Sequence, residues 1–161
     1  HVIIATHSDQ GLRLLEDPTE LEIDILGAMN YTSNKVVIHT DERVMPKRKL
    51  AWASWNYNLD ANEDQASMTY YMNLLQNLEI DRSIFVTLND ADTIDPGKIL
   101  ARREYEHPFY DFGMLKSQKR YSEISGQNRT YYAGAYWGNG FHEDGVKSGL
   151  RAFKAIEALK C

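Results

Sequence analysis

The chain has 161 residues, a formal net charge of -5 and 43% hydrophobic residues, enough for one domain with a sizeable core. The acidic balance leaves no basic footprint for nucleic acid, no apolar run approaches a membrane span, and no signal peptide opens the chain. Its single cysteine, Cys161, excludes a disulfide framework and a cysteine-based metal site.

The first element is His1-Val-Ile-Ile-Ala5, an apolar, β-branched strand that begins without a methionine, as though cut from a longer polypeptide. No Gly-x-Gly-x-x-Gly follows it, so the dinucleotide fingerprint is missing. Thr6-His7-Ser8-Asp9 reads as a polar turn that caps the next segment, with His7 a candidate for contact with cofactor or substrate. Asp17-Pro18-Thr19-Glu20 opens a helix with Pro18 in its first turn. Leu21, Ile25 and Ala28 or Met29 mark its buried side, and it ends near Asn30.

The middle reads as β-structure over 35–40, 49–57, 66–72 and 83–88, with a polar turn at 60–64. The basic run Lys47-Arg48-Lys49, preceded by Asp41-Glu42, fits a solvated turn. A regular strand would send Trp52 and Trp55 to opposite faces, so either a bulge intervenes or one ring lies outside. A loop over 90–96 leads to a strand at 99–105, a short helix at 110–121 and a turn at 125–128. The strand from Thr130 is expected beside the opening one.

The histidines, His1, His7, His39, His107 and His142, show no paired ligand spacing. His39 with Asp41, and His142 with Glu143 and Asp144, would ligate a metal only if the fold gathered them, and none is expected. Gly-x-Ser-x-Gly is absent, and Ser148 falls on a helix rather than a nucleophile elbow.

The end of the chain carries the sharpest pattern. Tyr131 to Gly149 reads as a short buried strand, a loop punctuated by Gly134, Gly138, Gly140 and Gly145, and a helix starting in that loop. Val146, Leu150, Phe153, Ile156 and Leu159 fall at helical spacing on one face, and Glu143 and Asp144 suit the first turn. Tyr136, Trp137 and Phe141 in the loop are expected to be exposed. Such a corner can hold an electron-rich group at the helix N-terminus. Phosphate is disfavoured by Glu143 and Asp144, and a neutral carbonyl-rich ring fits better.

Ala133-Gly134, a loop, and Gly140-Phe-His-Glu-Asp-Gly-Val-Lys-Ser-Gly149 running into an amphipathic helix resemble the C-terminal flavin-binding signature of the flavin amine oxidase superfamily. The likeness is to its bacterial subgroup of predicted NAD/FAD-binding proteins. Ala5-Thr-His-Ser-Asp-Gln10, Ile38-His-Thr-Asp41, Trp52-Ala-Ser-Trp-Asn56, Met72-Asn-Leu-Leu-Gln76, Val86-Thr-Leu-Asn89 and Glu106-His-Pro108 extend it over nearly the whole chain.

The resemblance implies an α+β chain: the C-terminal part of a two-domain FAD-dependent oxidoreductase that moves hydride from a substrate carbon to flavin. Residues 1–34 and 109–161 would belong to the FAD-binding domain, and the mixed or antiparallel sheet of 35–108 to the substrate domain. Gly134, Ala135, Tyr136, Phe141, Glu143, Asp144, Gly145 and Val146 would contact FAD, the last three through amides near a ring carbonyl. Tyr136 stands where relatives often carry a carboxylate that reaches the ribityl chain. Trp52, Trp55 and Tyr57, with Tyr70 and Tyr71, would line a cavity for a small apolar or amine substrate, and His142 and His7 are the catalytic candidates. The implied partner is an N-terminal dinucleotide-binding part of the same polypeptide, in the cytoplasm, without which FAD is not expected to stay bound. The competing reading is a non-catalytic fragment or interaction module.

Overall fold

The computed structural model describes residues 1–59, 67–90 and 92–160. The turn expected at 60–64, Ala66 at the head of a predicted strand, and Cys161 lie outside them. In chain order the elements are β1 (Val2–Ile4), α1 (Ser8–Leu14), α2 (Glu20–Gly27), β2 (Tyr31–His39), β3 (Trp55–Asn58), β4 (Ser67–Tyr71) and α3 (Met72–Leu75). They continue with β5 (Phe85–Leu88), β6 (Ile99–Pro108), α4 (Phe112–Gln118), α5 (Tyr121–Ile124), β7 (Thr130–Tyr132) and α6 (His142–Glu157). The chain is α+β and forms two compact units, His1–Thr32 with Pro108–Cys161, and Ser33–His107. Among the described residues, no helix is long and apolar enough to cross a membrane.

In the first unit β1 and β7 pair in parallel, Val2 opposite Thr130 and Ile4 opposite Tyr132, as the sequence led us to expect. The segment after His7 is not merely a turn, because α1 starts at Ser8 with His7 as its N-cap. Helix α2 is capped by Thr19, whose hydroxyl accepts from the Glu22 amide while the Glu22 carboxylate accepts from the Thr19 amide. Pro18 therefore precedes the cap instead of filling the first turn.

The buried face of α2 holds at Ile25 and Met29, as expected, and differs at its start. Glu22, Ile25, Leu26 and Met29 are inside, and Leu21 is exposed. A carboxylate holds a core position because it is fully engaged. Besides Thr19, it accepts a short hydrogen bond from the Tyr132 hydroxyl on β7. Ile4, Met114, Ile124, Tyr136 and Trp137 complete this core.

The second unit is a five-stranded sheet in the order β3-β4-β5-β2-β6, with β3–β4, β4–β5 and β2–β5 antiparallel. The strand expected over 49–57 is only half there. Residues Lys49–Ala51 form a 3-10 turn, and Trp52 Nε1 donates to the Pro46 carbonyl at 2.8 Å. The Asn56 side chain then closes on the amide and carbonyl of Ala53 at 3.1 and 2.7 Å. Trp52 thus precedes the strand and Trp55 begins it, which removes the conflict of period.

Pairing of Asn56 with Thr69, Thr69 with Thr87, and Val37 with Thr87 sets these four residues in one row on one face. Three of them are polar, and Thr69 and Thr87 are buried.

Candidate functional site

The corner singled out by the sequence is built by β7, the loop after it and α6. Strand β7 continues as Ala133, whose amide donates to the Ile4 carbonyl at 2.9 Å. At Gly134 an added Cβ would lie 2.2 Å from the Tyr136 ring, so glycine is what lets that ring fold back over the chain. From α4, Gln118 Nε2 donates to the carbonyls of Tyr136 and Gly138 at 2.9 and 2.6 Å. Gly140 has φ +85, and an added Cβ there would stand 2.6 Å from the Tyr110 hydroxyl.

Helix α6 then begins at His142 with Phe141 as its N-cap residue. The Asp144 carboxylate accepts from the amides of Asn139 and Phe141 at 3.0 and 3.1 Å, so it braces the loop. Ser148 Oγ accepts from the Gly134 amide and donates to the Gly145 carbonyl, both at 2.8 Å. These bonds fix the end of β7 to the second turn of α6. Gln118 and Ser148 were not singled out as part of this corner. Their roles arise from contacts 14 to 20 residues apart that leave no local signature.

The loop aromatics differ from expectation. Tyr136 is 4% exposed and Trp137 is 9% exposed, both packed in the core, and only Phe141 stands out at 60%. Trp137 meets Tyr121 edge-on at 4.9 Å, and the Arg151 guanidinium lies 3.3 Å from the Tyr121 ring centroid. Burial pushes the Tyr136 hydroxyl well above its ordinary range, with Tyr31 adding to the effect. A tyrosine so held does not take over the part of a carboxylate on a sugar.

The amides of Asp144 and Gly145 both donate to the Phe141 carbonyl, at 3.0 and 3.2 Å. The first two helical positions, His142 and Glu143, are the ones that lack an acceptor within the helix. Glu143 is exposed and pairs with Lys147 at 3.5 Å. Val146 is exposed on the apolar stripe. Beside this corner Trp137, Gly138, Asp144, Lys147, Ser148 and Arg151 line a concavity of about 190 Å³. His7 stacks on Tyr31 with ring centroids 4.5 Å apart. No hydrogen bond among the described residues joins it to His142.

Trp52, Trp55 and Tyr57 all belong to the second unit. Trp52 packs edge-on against Tyr71 and Phe85, at 5.3 and 5.7 Å. Trp55 meets Tyr70 across the strands at 5.8 Å and, like Tyr57, is largely exposed. His39 and Asp41 are both fully buried in this unit. The Asp41 carboxylate accepts from Arg43, from Lys98 Nζ at 3.2 Å and from the Asp95 amide at 3.0 Å. Arg43 holds it far below the ordinary carboxylate range against the opposing effect of burial. Sequence reasoning paired His39 with Asp41 but missed Arg43 and Lys98, the second of which lies 57 residues away. Among the described residues, no three histidine, cysteine or acidic side chains converge on a metal-sized site.

Comparison with protein-family models and with curated proteins returns no match for this chain.

Proposed function

We propose that this chain is the C-terminal part of an FAD-dependent oxidoreductase of the amine oxidase type, working in the cytoplasm together with an N-terminal dinucleotide-binding part. One observation carries the reading: the corner is flanked by apolar surface that the chain itself leaves open. Parallel ribbons are normally covered on both faces. Here Val2 and Ile3 of β1 are 58% and 44% exposed. On α6, Val146, Leu150 and Phe153 are all exposed, as is Leu159 just beyond its end, while the residues turned inward are Ser148 and Ala152. An exposed apolar stripe at helical spacing, such as that of α6, marks a place where another body packs.

Tested against FAD, the corner fits at the ring edge and not at the sugar. The first turn of a 16-residue helix and the exposed ring of Phe141 suit the pyrimidine edge of an isoalloxazine. Tyr136, turned into the core, offers nothing to the ribityl chain. The concavity of about 190 Å³ is smaller than small-molecule sites usually are, so most of the berth belongs to the second body. When bound, the cofactor supplies the acceptor for hydride. This chain's part is to orient the ring and to favour negative charge along the edge at the helix N-terminus.

The same exposed face supports a second reading, a non-catalytic module that docks on another protein. Colour separates the two. The chain as it stands should leave added FAD unbound, with its fluorescence unchanged. A longer polypeptide extended upstream should purify yellow. In that longer protein Gly145→Leu should abolish flavin retention without unfolding α6, since a Cβ at Gly145 meets only the Ala135 amide nitrogen, at an ordinary 3.9 Å. A colourless longer protein would leave only the docking module.

A further inference from the structure

We propose that the second unit carries a site for a small organic monocarboxylate, in a concavity floored by Thr69 and Ser67 and rimmed by Arg43 and Lys47. It lies within Ser33–His107 and does not depend on the flavin reading. Its volume is about 320 Å³, within the range of small-molecule pockets.

The floor is polar for a reason that begins two strands away. The Asp41 amide donates to His39 Nδ1 at 3.1 Å, so the neutral ring carries its proton on Nε2. Burial favours that neutral form, with the Asp41 charge opposing it only in part. His39 Nε2 then donates to Thr87 Oγ1 at 2.8 Å. The Thr87 hydroxyl, itself buried, has Thr69 Oγ1 at 2.8 Å as the acceptor for its own hydrogen. The chain of donors therefore runs His39, Thr87, Thr69, and its last hydrogen is left at Thr69, a residue that lines the concavity.

Donors accumulate around that point. Ser67, buried beside Thr69 on β4, makes no side-chain hydrogen bond among the described residues. Arg43 directs Nε and Nη2 to Asp41 and keeps Nη1. Lys47 has no ion pair among the described residues. Asp90 is the one acid among the described lining residues, which disfavours a dianion. Val44, Met45 and Pro46 supply the apolar lining against which the rest of an organic acid packs. Two hydroxyl donors and two cations facing a single acid match one carboxylate with a short apolar tail.

The test is a titration of the ¹⁵N-labelled chain with butyrate and with butyramide, its uncharged counterpart. Butyrate should give saturating shifts at the amides of Ser67, Thr69 and Lys47, and butyramide should bind roughly tenfold or more weakly. Thr69→Val, which keeps the shape and removes the donor, should weaken butyrate roughly tenfold. Lys47→Met, at an exposed position, should weaken it too while leaving the fold intact. Equal binding of acid and amide, no saturation with butyrate, or unchanged binding in the Lys47→Met variant would each overturn the site. Should Thr69→Val fail to fold, Ser67→Ala and Lys47→Met decide the matter by the same readout.

Discussion

Each unit buries a carboxylate, and the two are held by opposite means. Asp41 is surrounded by charge: Arg43 and Lys98 reach it from the surface, and the amides of Arg43 and Asp95 complete its shell. Glu22 is surrounded by neutral donors, the hydroxyls of Tyr132 and Thr19 and the Thr19 amide. An ion matched by cations must stay ionised to hold its neighbours, whereas one matched by hydroxyls sits closer to the balance between its two forms. The first ties together the end of β2, the turn after it and the loop before β6. The second ties α2 to β7 beneath the flavin candidate corner. Asp41→Asn should therefore be the most damaging change, costing about 3 kcal/mol in urea unfolding at neutral pH. A loss below about 1 kcal/mol would mean that the cations reaching Asp41 from solvent contribute little, as at an ordinary surface pair.

Glu22→Gln keeps the shape but loses an acceptor for charge-assisted bonds, and about 2 kcal/mol should go with it. Tyr132→Phe removes one donor and should cost about 1 kcal/mol. Acid sharpens the contrast. Burial works to raise the Glu22 carboxyl, but its hydrogen bonds from Tyr132 and Thr19 together win and set it below its ordinary 4.5. The folded form thus binds its proton less readily than the unfolded chain. This contribution to stability is complete above pH 4.5 and disappears as pH falls through the depressed value. Asp41 has the same sign, starting from 3.8, with a loss that extends much further into acid. Stability measured against pH should accordingly fall less steeply in the Tyr132→Phe variant just below pH 4.5, and less steeply in Asp41→Asn at lower pH. Parallel curves for the wild type and Tyr132→Phe would refute the role given to that hydroxyl.

Between the Glu22 and Tyr132 changes in size is the loop between β7 and α6. Gly140→Ala meets both a left-handed backbone and the Tyr110 hydroxyl, and about 1.5 kcal/mol should be lost. Tyr110→Phe in the same chain should recover part of that loss by removing the oxygen nearest the new methyl. No recovery would place the whole cost in the backbone.

What could be read from the sequence, and what could not, divides along physical lines. The strand at Thr130 and α6 follow from β-branched and aromatic runs, glycine punctuation and a helical period, all local signals, whereas the pairing of that strand with the opening one was expected from the family resemblance. The start of the buried face of α2 did not, because an apolar residue at 21 outweighed an acid at 22, whose bonds to Thr19 are local but whose remaining oxygen is satisfied by Tyr132, 110 residues away. Trp52 was placed on a strand because its indole bond to the Pro46 carbonyl has no signature in the pattern. The direction of the loop rings was likewise hidden. Gly134 permits Tyr136 to fold inward, but a glycine by itself says nothing of which neighbour will use the space.

The smallest effect is expected where the apolar pattern is strongest. Leu150 and Phe153 belong to the stripe that marks α6 as amphipathic, yet they are 51% and 54% exposed, and the helix packs inward through Ser148 and Ala152. Replacing both by serine removes large apolar groups that already face solvent. Urea unfolding of this chain should move by no more than about 0.5 kcal/mol, with less self-association at high concentration. In a longer polypeptide whose dinucleotide-binding part covers this face, the same pair of changes should cost about 3 kcal/mol and release the flavin, because there they would empty a packed interface. A loss of that size in the chain alone would mean that α6 is already covered. The open surface on which the flavin reading rests would then be gone, whereas the Asp41 and Glu22 contrast would stand untouched.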